Sequence, residues 1–218
     1  MKEYRKSSLR TGILLLILFA VWTVLVQNVD VQNAGQTGTE VGLATLNIWF
    51  HDLTGVHMML YTITDWLGLV PVIICLAFGV MGFVQMIQRK SPLKVDADLI
   101  LLGVYYIVVI AGYLIFEELP VNYRPVWIEG RLEASYPSST TLLVLSVIPA
   151  LTFQARRRLK NVRLNRAIRI GSAGFSLFMV VGRVLSGVHW ITDIIGAILL
   201  SSGLFCIYRA IVIRYSKK

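Results

Sequence analysis

Six long apolar segments dominate this chain of 218 residues. A helix needs roughly 20 apolar residues to cross a hydrocarbon core about 30 Å thick. Hydrophobic residues make up 56% of the chain and charged residues only 15%, a more apolar composition than that of ordinary soluble domains. The pattern predicts an all-α fold, a polytopic membrane bundle of six transmembrane helices at 11–27, 60–87, 99–116, 138–154, 167–185 and 190–208.

The segments leave little room for a separate soluble domain, because no long polar stretch lies between them. We therefore predict a single membrane domain over 1–218, with an outer loop at 28–59. The later part of that loop, from Val41 to Met59, mixes Leu, Ile, Trp and Phe with His and Asp. This mixture fits an interfacial helix lying along the membrane as a lid, and an ordinary connecting loop fits it equally well.

Basic residues are concentrated in alternate loops and at both termini. Positively charged loops stay on the cytoplasmic side, so both termini are predicted to be cytoplasmic. Because the charges flank membrane segments, the net charge of +9 indicates orientation, and nucleic acid is not an expected partner. The cytoplasmic groups are Lys2, Arg5, Lys6 and Arg10; Arg89, Lys90 and Lys94; seven residues within 156–169; and Arg209, Arg214, Lys217 and Lys218.

The arginines left for the outer side are Arg124, Arg131 and Arg183, where orientation does not require them. Arg183 ends the fifth segment, and His189 and Asp193 open the sixth. A spacing of four on a helix places the imidazole and the carboxylate on one face, so the carboxylate can hold one ring nitrogen and leave the other as a nucleophile. The alternative is an interfacial hydrogen bond beside an outward-reaching arginine.

The preceding outer loop adds a second set of candidates for anion binding. Arg124-Pro125 lies in the loop, and Pro137-Ser138-Ser139-Thr140 opens the fourth segment. Proline followed by serine and threonine predicts a helix start, where free N–H groups and the helix dipole favour an anion. Taken alone, the same pattern is also an ordinary helix cap. The candidate phosphate-binding residues are Arg124, Arg183, Ser138, Ser139 and Thr140.

These residues resemble the motifs of the type 2 phosphatidic acid phosphatase family, membrane-bound relatives of the vanadium haloperoxidases. The family motifs are Lys-x6-Arg-Pro, Pro-Ser-Gly-His and Ser-Arg-x5-His-x3-Asp. Arg183, His189 and Asp193 have the spacing of the third motif, with Gly182 in place of its serine. Arg124-Pro125 matches the end of the first motif and Pro137-Ser138 the start of the second. The resemblance covers roughly 60–208, the expected phosphatase core.

The resemblance implies hydrolysis of a lipid phosphate through a phosphohistidine intermediate, without a metal or other cofactor. His189 would attack phosphorus and Asp193 would orient the imidazole. Arg124, Arg183 and the N–H groups near Ser138 and Ser139 would hold the developing negative charge. Together with the predicted cytoplasmic termini, the resemblance implies a multi-pass protein of the plasma membrane with its active site on the non-cytoplasmic face.

Two positions depart from the family pattern in ways that affect chemistry. Glu117 stands where the family has a phosphate-binding lysine, and Thr140 stands where it has a histidine that protonates the leaving group. General acid catalysis contributes roughly 10²- to 10⁴-fold, so a lipid pyrophosphate, whose leaving group is a stable anion, is preferred over a phosphate monoester. Several residues of the outer segments could in principle replace the missing proton donor, although their spacing favours none of them: Glu118, Tyr123, Tyr136, His51 and His57.

Two other functions remain open. One is a non-enzymatic lipid-phosphate binder that has lost turnover, and the other is a transferase that passes the phosphoryl group to another lipid. A transporter is disfavoured because the segments carry almost no charge. Glycines in the last two segments predict close helix packing, at Gly171, Gly174, Gly182, Gly196 and Gly203.

Overall fold

The chain forms a bundle of long helices with a small hairpin and a short helix at one end. This computed structural model describes residues 2–215, so Lys217 and Lys218 of the C-terminal basic group lie outside the described residues. The elements are α1 (Lys2–Asn28), β1 (Gln32–Ala34), β2 (Thr39–Val41), α2 (Ala44–Thr54), α3 (Met58–Leu67), α4 (Leu69–Gln88), a 3₁₀ turn (Pro92–Lys94), α5 (Ala97–Glu118), α6 (Ser139–Arg158), α7 (Val162–Leu185) and α8 (Ile191–Tyr215).

A helix occupies each of the six predicted positions, with α3 and α4 together forming the second. Within residues 2–215, five of these helical segments are long and apolar enough to cross a membrane. The exception is α6, whose hydropathy is lowered by its polar first turn and its three terminal arginines. Its buried polar residues Thr141, Ser146 and Gln154 lie where α6 packs against α4, α5, α7 and α8. The all-α, multi-pass architecture is confirmed, and a count of six crossings stays a prediction.

Helices α1 and α8 pack antiparallel along their length. Ser8 Oγ donates to the Cys206 carbonyl at 2.9 Å, and Trp22 Nε1 donates to the Thr192 carbonyl at 3.1 Å. The start of α1 therefore lies beside the end of α8, and both face away from the end that holds the predicted site. The described structure thus agrees with termini on one side of the membrane, and their assignment to the cytoplasm stays a prediction.

Some of the glycines predicted to pack closely lie against a neighbouring helix or loop, and others lie in open space. A Cβ at Gly203 would lie 2.8 Å from Leu16 Cδ2, and one at Gly196 would lie 2.6 Å from Tyr136 Cε2. At Gly182 it would lie 2.6 Å from Thr64 Cγ2. The packing prediction was wrong for Gly171 and Gly174, where no described atom lies within 4 Å.

The outer loop contains real secondary structure. Strands β1 and β2 pair antiparallel, with Gln32 opposite Val41, and α2 lies within the stretch predicted as an interfacial helix or a loop. Asn47 of α2 donates to Thr192 Oγ1 at 3.0 Å and accepts from the Thr192 N–H at 3.3 Å. These bonds fasten α2 to the first turn of α8, and its relation to the membrane surface stays a prediction.

Candidate active site

His189 is held by different partners at its two ring nitrogens. Nε2 lies 3.1 Å from Arg183 Nη2, and Nδ1 lies 3.0 Å from Ser135 Oγ, which in turn donates to Asp193 Oδ2. A guanidinium only donates hydrogen bonds, so Nε2 must be the accepting nitrogen. The single Ser135 proton is used on Asp193, so Nδ1–H donates to Ser135. This network selects the neutral tautomer in which Nε2 carries no proton and its electron pair accepts from Arg183.

Asp193 is linked to His189 through this serine, which differs from the predicted direct contact. Because α8 begins at Ile191, His189 precedes the helix, and the four-residue spacing does not place the two side chains on one helical face. Their closest ring-to-carboxylate distance is 3.7 Å, too long for a hydrogen bond. Asp193 Oδ2 also accepts from the Trp190 N–H at 2.9 Å, so the carboxylate is fixed on several sides.

Ser135 is the site residue that sequence reasoning missed. It lies in the loop before α6 and is 2% exposed, and it bridges to a histidine 54 residues later in the chain. A loop serine carries no periodicity or charge that distinguishes it. Its nearness to the Pro137-Ser138 motif is the signal that pointed to this loop.

Burial and the positive charge of the site keep His189 neutral. The residue is 4% exposed; burial and the neighbouring charges of Arg124 and Arg183 hold the pKa of its imidazole well below the ordinary value of 6.5. Protonation is disfavoured because burial removes water from the charged form and like charges repel it. A neutral imidazole is the form that can attack an electrophile.

Arg124 and Arg183 converge on one aromatic ring. The guanidinium carbon of Arg183 lies 5.0 Å from the centre of the Tyr61 ring, and that of Arg124 lies 5.8 Å from it. Arg183 is 1% exposed and Arg124 is 7% exposed. Tyr61 thus holds two nearly buried cations close together, which opposes their mutual repulsion by cation–π attraction.

The two guanidinium groups are only partly neutralised. Arg183 Nη1 lies 3.7 Å from Asp65 Oδ1, and Arg124 Nε lies 3.1 Å from Glu133 Oε2. Within the described residues, Arg183 Nε and Arg124 Nη1 are buried without any hydrogen-bond partner. A buried unsatisfied donor is costly and calls for an explanation. An anion bound between the two arginines would provide one.

The start of α6 carries the backbone N–H groups that were predicted to bind phosphate. Ser138 is fully engaged, because its N–H donates to the Asp193 carbonyl at 3.2 Å and its hydroxyl donates to Thr141 Oγ1 at 3.1 Å. Both of its donors thus have partners within the protein, and its role in holding phosphate stays a prediction. The N–H groups of Ser139 and Thr140 follow in the first turn, where helices leave such donors free. Both residues line a cavity of about 470 Å³ together with Asp65.

The replacement acids considered from the sequence are placed mostly away from the pocket. Tyr136 bonds Thr23 Oγ1 at 2.8 Å, and burial raises the pKa of its hydroxyl. His51 Nε2 contacts the Gly187 carbonyl at 3.1 Å, and His57 Nε2 contacts the Thr54 carbonyl at 2.9 Å. Glu118 is exposed. None of these side chains takes the place of a histidine at Thr140.

Glu117, which replaces the motif lysine, has an exposed side chain. Within residues 2–215 it forms no ion pair, whereas Arg124 pairs with Glu133. The carboxylate that neutralises Arg124 therefore comes from the loop after α5 and not from the altered motif position.

Comparisons with known proteins identify the family. The model of the PAP2 superfamily matches residues 75–216, a region that contains Arg124, Ser135, Arg183, His189 and Asp193. The fold is similar to the crystal structure of a transmembrane PAP2-type phosphatidylglycerolphosphate phosphatase from Bacillus subtilis, with a TM-score of 0.66, 14% identity, and coverage of 95% of this chain and 98% of that one.

A sequence relative is an uncharacterized protein of Haemophilus influenzae, 29% identical over 105 residues. The match spans 46% of this chain and 43% of that relative, so less than half of either protein is compared. The family match covers well over half of this chain. The chain belongs to the PAP2 superfamily.

Proposed function

We propose that this protein is a membrane lipid phosphatase that acts through a phosphohistidine intermediate on His189. The observation that carries the proposal is the bonding of the imidazole. Nδ1–H is tied through Ser135 to Asp193, while the electron pair of Nε2 faces the Arg183 guanidinium. A phosphate held by Arg183 would therefore meet the nucleophilic nitrogen.

In the first step, Nε2 forms a bond to phosphorus and the bond from phosphorus to the leaving oxygen breaks. The imidazole becomes positively charged, and the chain from Nδ1–H through Ser135 to the Asp193 carboxylate stabilises that charge. Arg124, Arg183 and the N–H groups of Ser139 and Thr140 donate to the phosphoryl oxygens. In the second step, water attacks phosphorus, the N–P bond breaks, phosphate leaves and a proton passes to solvent.

The leaving group favours a pyrophosphate as substrate. The cavity lined by Ser139 and Thr140 also contains Asp65, Cys75 and Tyr113 as its titratable groups. Asp65 is paired with Arg183, and thiols and phenols are weak acids near neutral pH. An alkoxide would leave without an efficient proton donor, whereas a lipid phosphate leaves from a pyrophosphate as a stable anion.

The distribution of the basic loops supports a site on the non-cytoplasmic side of the plasma membrane. The candidate site lies at the bundle end opposite the loops rich in lysine and arginine. If those loops face the cytoplasm, the site opens outward. Lipid phosphates or pyrophosphates are then the substrates, because they are anchored in the membrane beside the cavity.

The test is a phosphate-release screen over lipid monophosphates and lipid pyrophosphates with purified protein. We expect His189→Ala to abolish release, and radiolabelled substrate to leave acid-labile label on the parent protein but not on His189→Ala. His57→Ala is the matched control, because His57 is exposed and lies outside the pocket. Release by His189→Ala at the parental rate would refute the mechanism, and equal rates on both substrate classes would refute the pyrophosphate preference.

Because Thr140 stands where the family has a proton-donating histidine, the same screen also tests two alternative functions. A lipid-phosphate binder without turnover would bind inorganic phosphate in an Arg183-dependent way and release none from any lipid. A phosphotransferase would form product only when an acceptor lipid is supplied. The screen therefore includes samples with and without a neutral lipid alcohol.

A further inference from the structure

A second cavity, of about 380 Å³, lies in the half of the bundle away from His189. It follows one stripe of α6 from Leu145 to Arg156 and is closed by residues of α1, α7 and α8. Eleven residues of α helix rise about 16 Å, which is roughly half of a hydrocarbon core of about 30 Å. The cavity thus has the length of one leaflet. Its apolar walls include Leu145, Ile148, Phe153 and Phe205.

The end of this groove is strongly basic. Arg156, Arg169 and Arg209 line it from three different helices, and among residues 2–215 none of them pairs with a carboxylate. Arg157 and Arg158 differ, since both contact Asp98 of α5. Of the three arginines that end α6, only Arg156 faces the groove, and the structure gives it no carboxylate partner among residues 2–215.

Aromatic packing fixes one of these arginines in place. The Arg209 guanidinium carbon lies 4.9 Å from the centre of the Tyr4 ring and 5.8 Å from that of Phe205, and Arg209 Nε donates to Ser8 Oγ at 3.1 Å. A neighbouring cavity of about 400 Å³ adds Arg163 and Arg166 beside Arg156 and Arg169. The local potential is therefore positive over a wide area.

We propose that this groove binds an anionic phospholipid that is not the substrate. Its phosphate would lie among Arg156, Arg169 and Arg209, and one acyl chain would follow the apolar walls toward Leu145. Charge complementarity and a one-leaflet length select this occupant over a soluble anion, which would leave the apolar walls unused. Arg169 precedes Arg183 by fourteen residues of α7, about 21 Å along the helix, so the two sites are separate.

The experiment is native mass spectrometry of the purified full chain, titrated with phosphatidylglycerol or with zwitterionic phosphatidylcholine. We expect the parent to retain one phosphatidylglycerol in preference to phosphatidylcholine. The triple variant Arg156→Gln, Arg169→Gln, Arg209→Gln should weaken phosphatidylglycerol binding by about tenfold or more, because each basic residue near a lipid surface contributes to attraction. The matched control, Lys6→Gln, Arg10→Gln, Lys90→Gln, removes the same charge outside the groove and should bind normally.

A second variant tests the groove without changing charge. Ser176→Leu fills space beside the α6 wall and should also weaken retention, with an unchanged circular dichroism spectrum as evidence of folding. Orthovanadate, a phosphate mimic for the first site, should leave the bound lipid in place, as should His189→Ala. Equal loss in the matched control, full retention in the arginine triple variant, or displacement by orthovanadate would each overturn the proposal.

Discussion

A buried imidazole beside two guanidinium groups is an unusual arrangement at the residue scale. His189 contacts Arg183 directly, and burial, together with the charges of Arg124 and Arg183, lowers its pKa. The same charges that keep the imidazole unprotonated attract a phosphate dianion. If the proposed phosphate bound there, it would reduce the repulsion, and a positively charged phosphohistidine would become easier to form. The unpaired donors and like charges of the resting site are the features that the proposed ligand would compensate.

Replacing Ser135 tests the link between Asp193 and His189. In Ser135→Ala the imidazole loses the partner that selects its tautomer, and the carboxylate loses its bond to the serine. A hydrogen bond to a charged group contributes about 1.5–3 kcal/mol, so we expect kcat to fall roughly 10- to 100-fold with little change in KM. Steady-state phosphate release measures both constants.

Two further variants separate positioning from folding in that experiment. Ser135→Thr keeps a hydroxyl and should recover much of kcat. Ser146→Ala removes another buried serine, whose hydroxyl has no partner among the described residues, and should leave kcat unchanged. A Ser135→Ala enzyme with the parental kcat would show that Asp193 does not act through this serine.

The pKa of His189 gives a prediction about pH. A folded-state pKa below 6.5 means that, between the two values, the unfolded chain carries a proton that the folded chain lacks. Stability contributed by this group therefore falls as pH drops below 6.5. The nucleophile also stays neutral in that window. We expect the His189 ring resonance to titrate below 6.5 in NMR spectra of a His51→Gln, His57→Gln background.

The control for this titration is Arg124→Gln, which removes one of the charges that repel the protonated imidazole. Its His189 resonance should titrate at higher pH than in the parent. Titration at or above 6.5 in the parent, or no upward shift on losing Arg124, would contradict the arrangement of charges described here.

At the scale of elements, the contact between α1 and α8 depends on small residues. A Cβ at Gly12 would lie 2.7 Å from Ile207 Cγ1 and 3.0 Å from the Gly203 carbonyl oxygen. Gly12→Leu should therefore push the helices apart and destabilise the fold by about 1–3 kcal/mol, seen as a lower thermal midpoint in detergent. Gly174→Leu is the matched control, because no described atom lies within 4 Å of its Cβ position. Equal midpoints for the two variants would contradict the packing.

The turn between α7 and α8 shows how one element positions the chemistry. Gly187 adopts a left-handed φ of +68°, and a Cβ there would lie 2.1 Å from the Gly55 carbonyl oxygen. The His57 N–H donates to the Ser186 carbonyl at 2.9 Å. The segment after α2 thus presses against the turn, so the outer loop helps to hold His189 in place.

At the scale of the whole molecule, the two ends of the bundle differ in chemistry. One end collects Arg124, Arg183 and His189 in a nearly buried pocket. The other holds exposed basic residues and an ion-pair network in which Arg158 joins Asp96 and Asp98. Such polarity along the bundle axis matches a protein oriented by the membrane. Each end then meets a different leaflet.

The sequence by itself determined the helices and which residues lie together at the turn between α7 and α8. Runs of apolar residues impose helices in a membrane, because backbone polar groups there must be satisfied internally. The spacing of Arg183, His189 and Asp193 placed them around one turn, since residues so near in the chain cannot separate far. These features depend on local geometry and composition, which can be read directly.

The tertiary structure alone decided how distant segments meet. The bridge through Ser135, the convergence of Arg124 and Arg183 on Tyr61, and the engagement of Ser138 all join parts of the chain separated by many residues. No period or motif specifies such contacts, because they depend on the packing of α3, α6, α7 and the loop before α6 together. The physical reason is that the hydrogen-bond partners and the burial of a side chain depend on residues that are distant in the sequence. Those residues come into contact only when the whole bundle assembles.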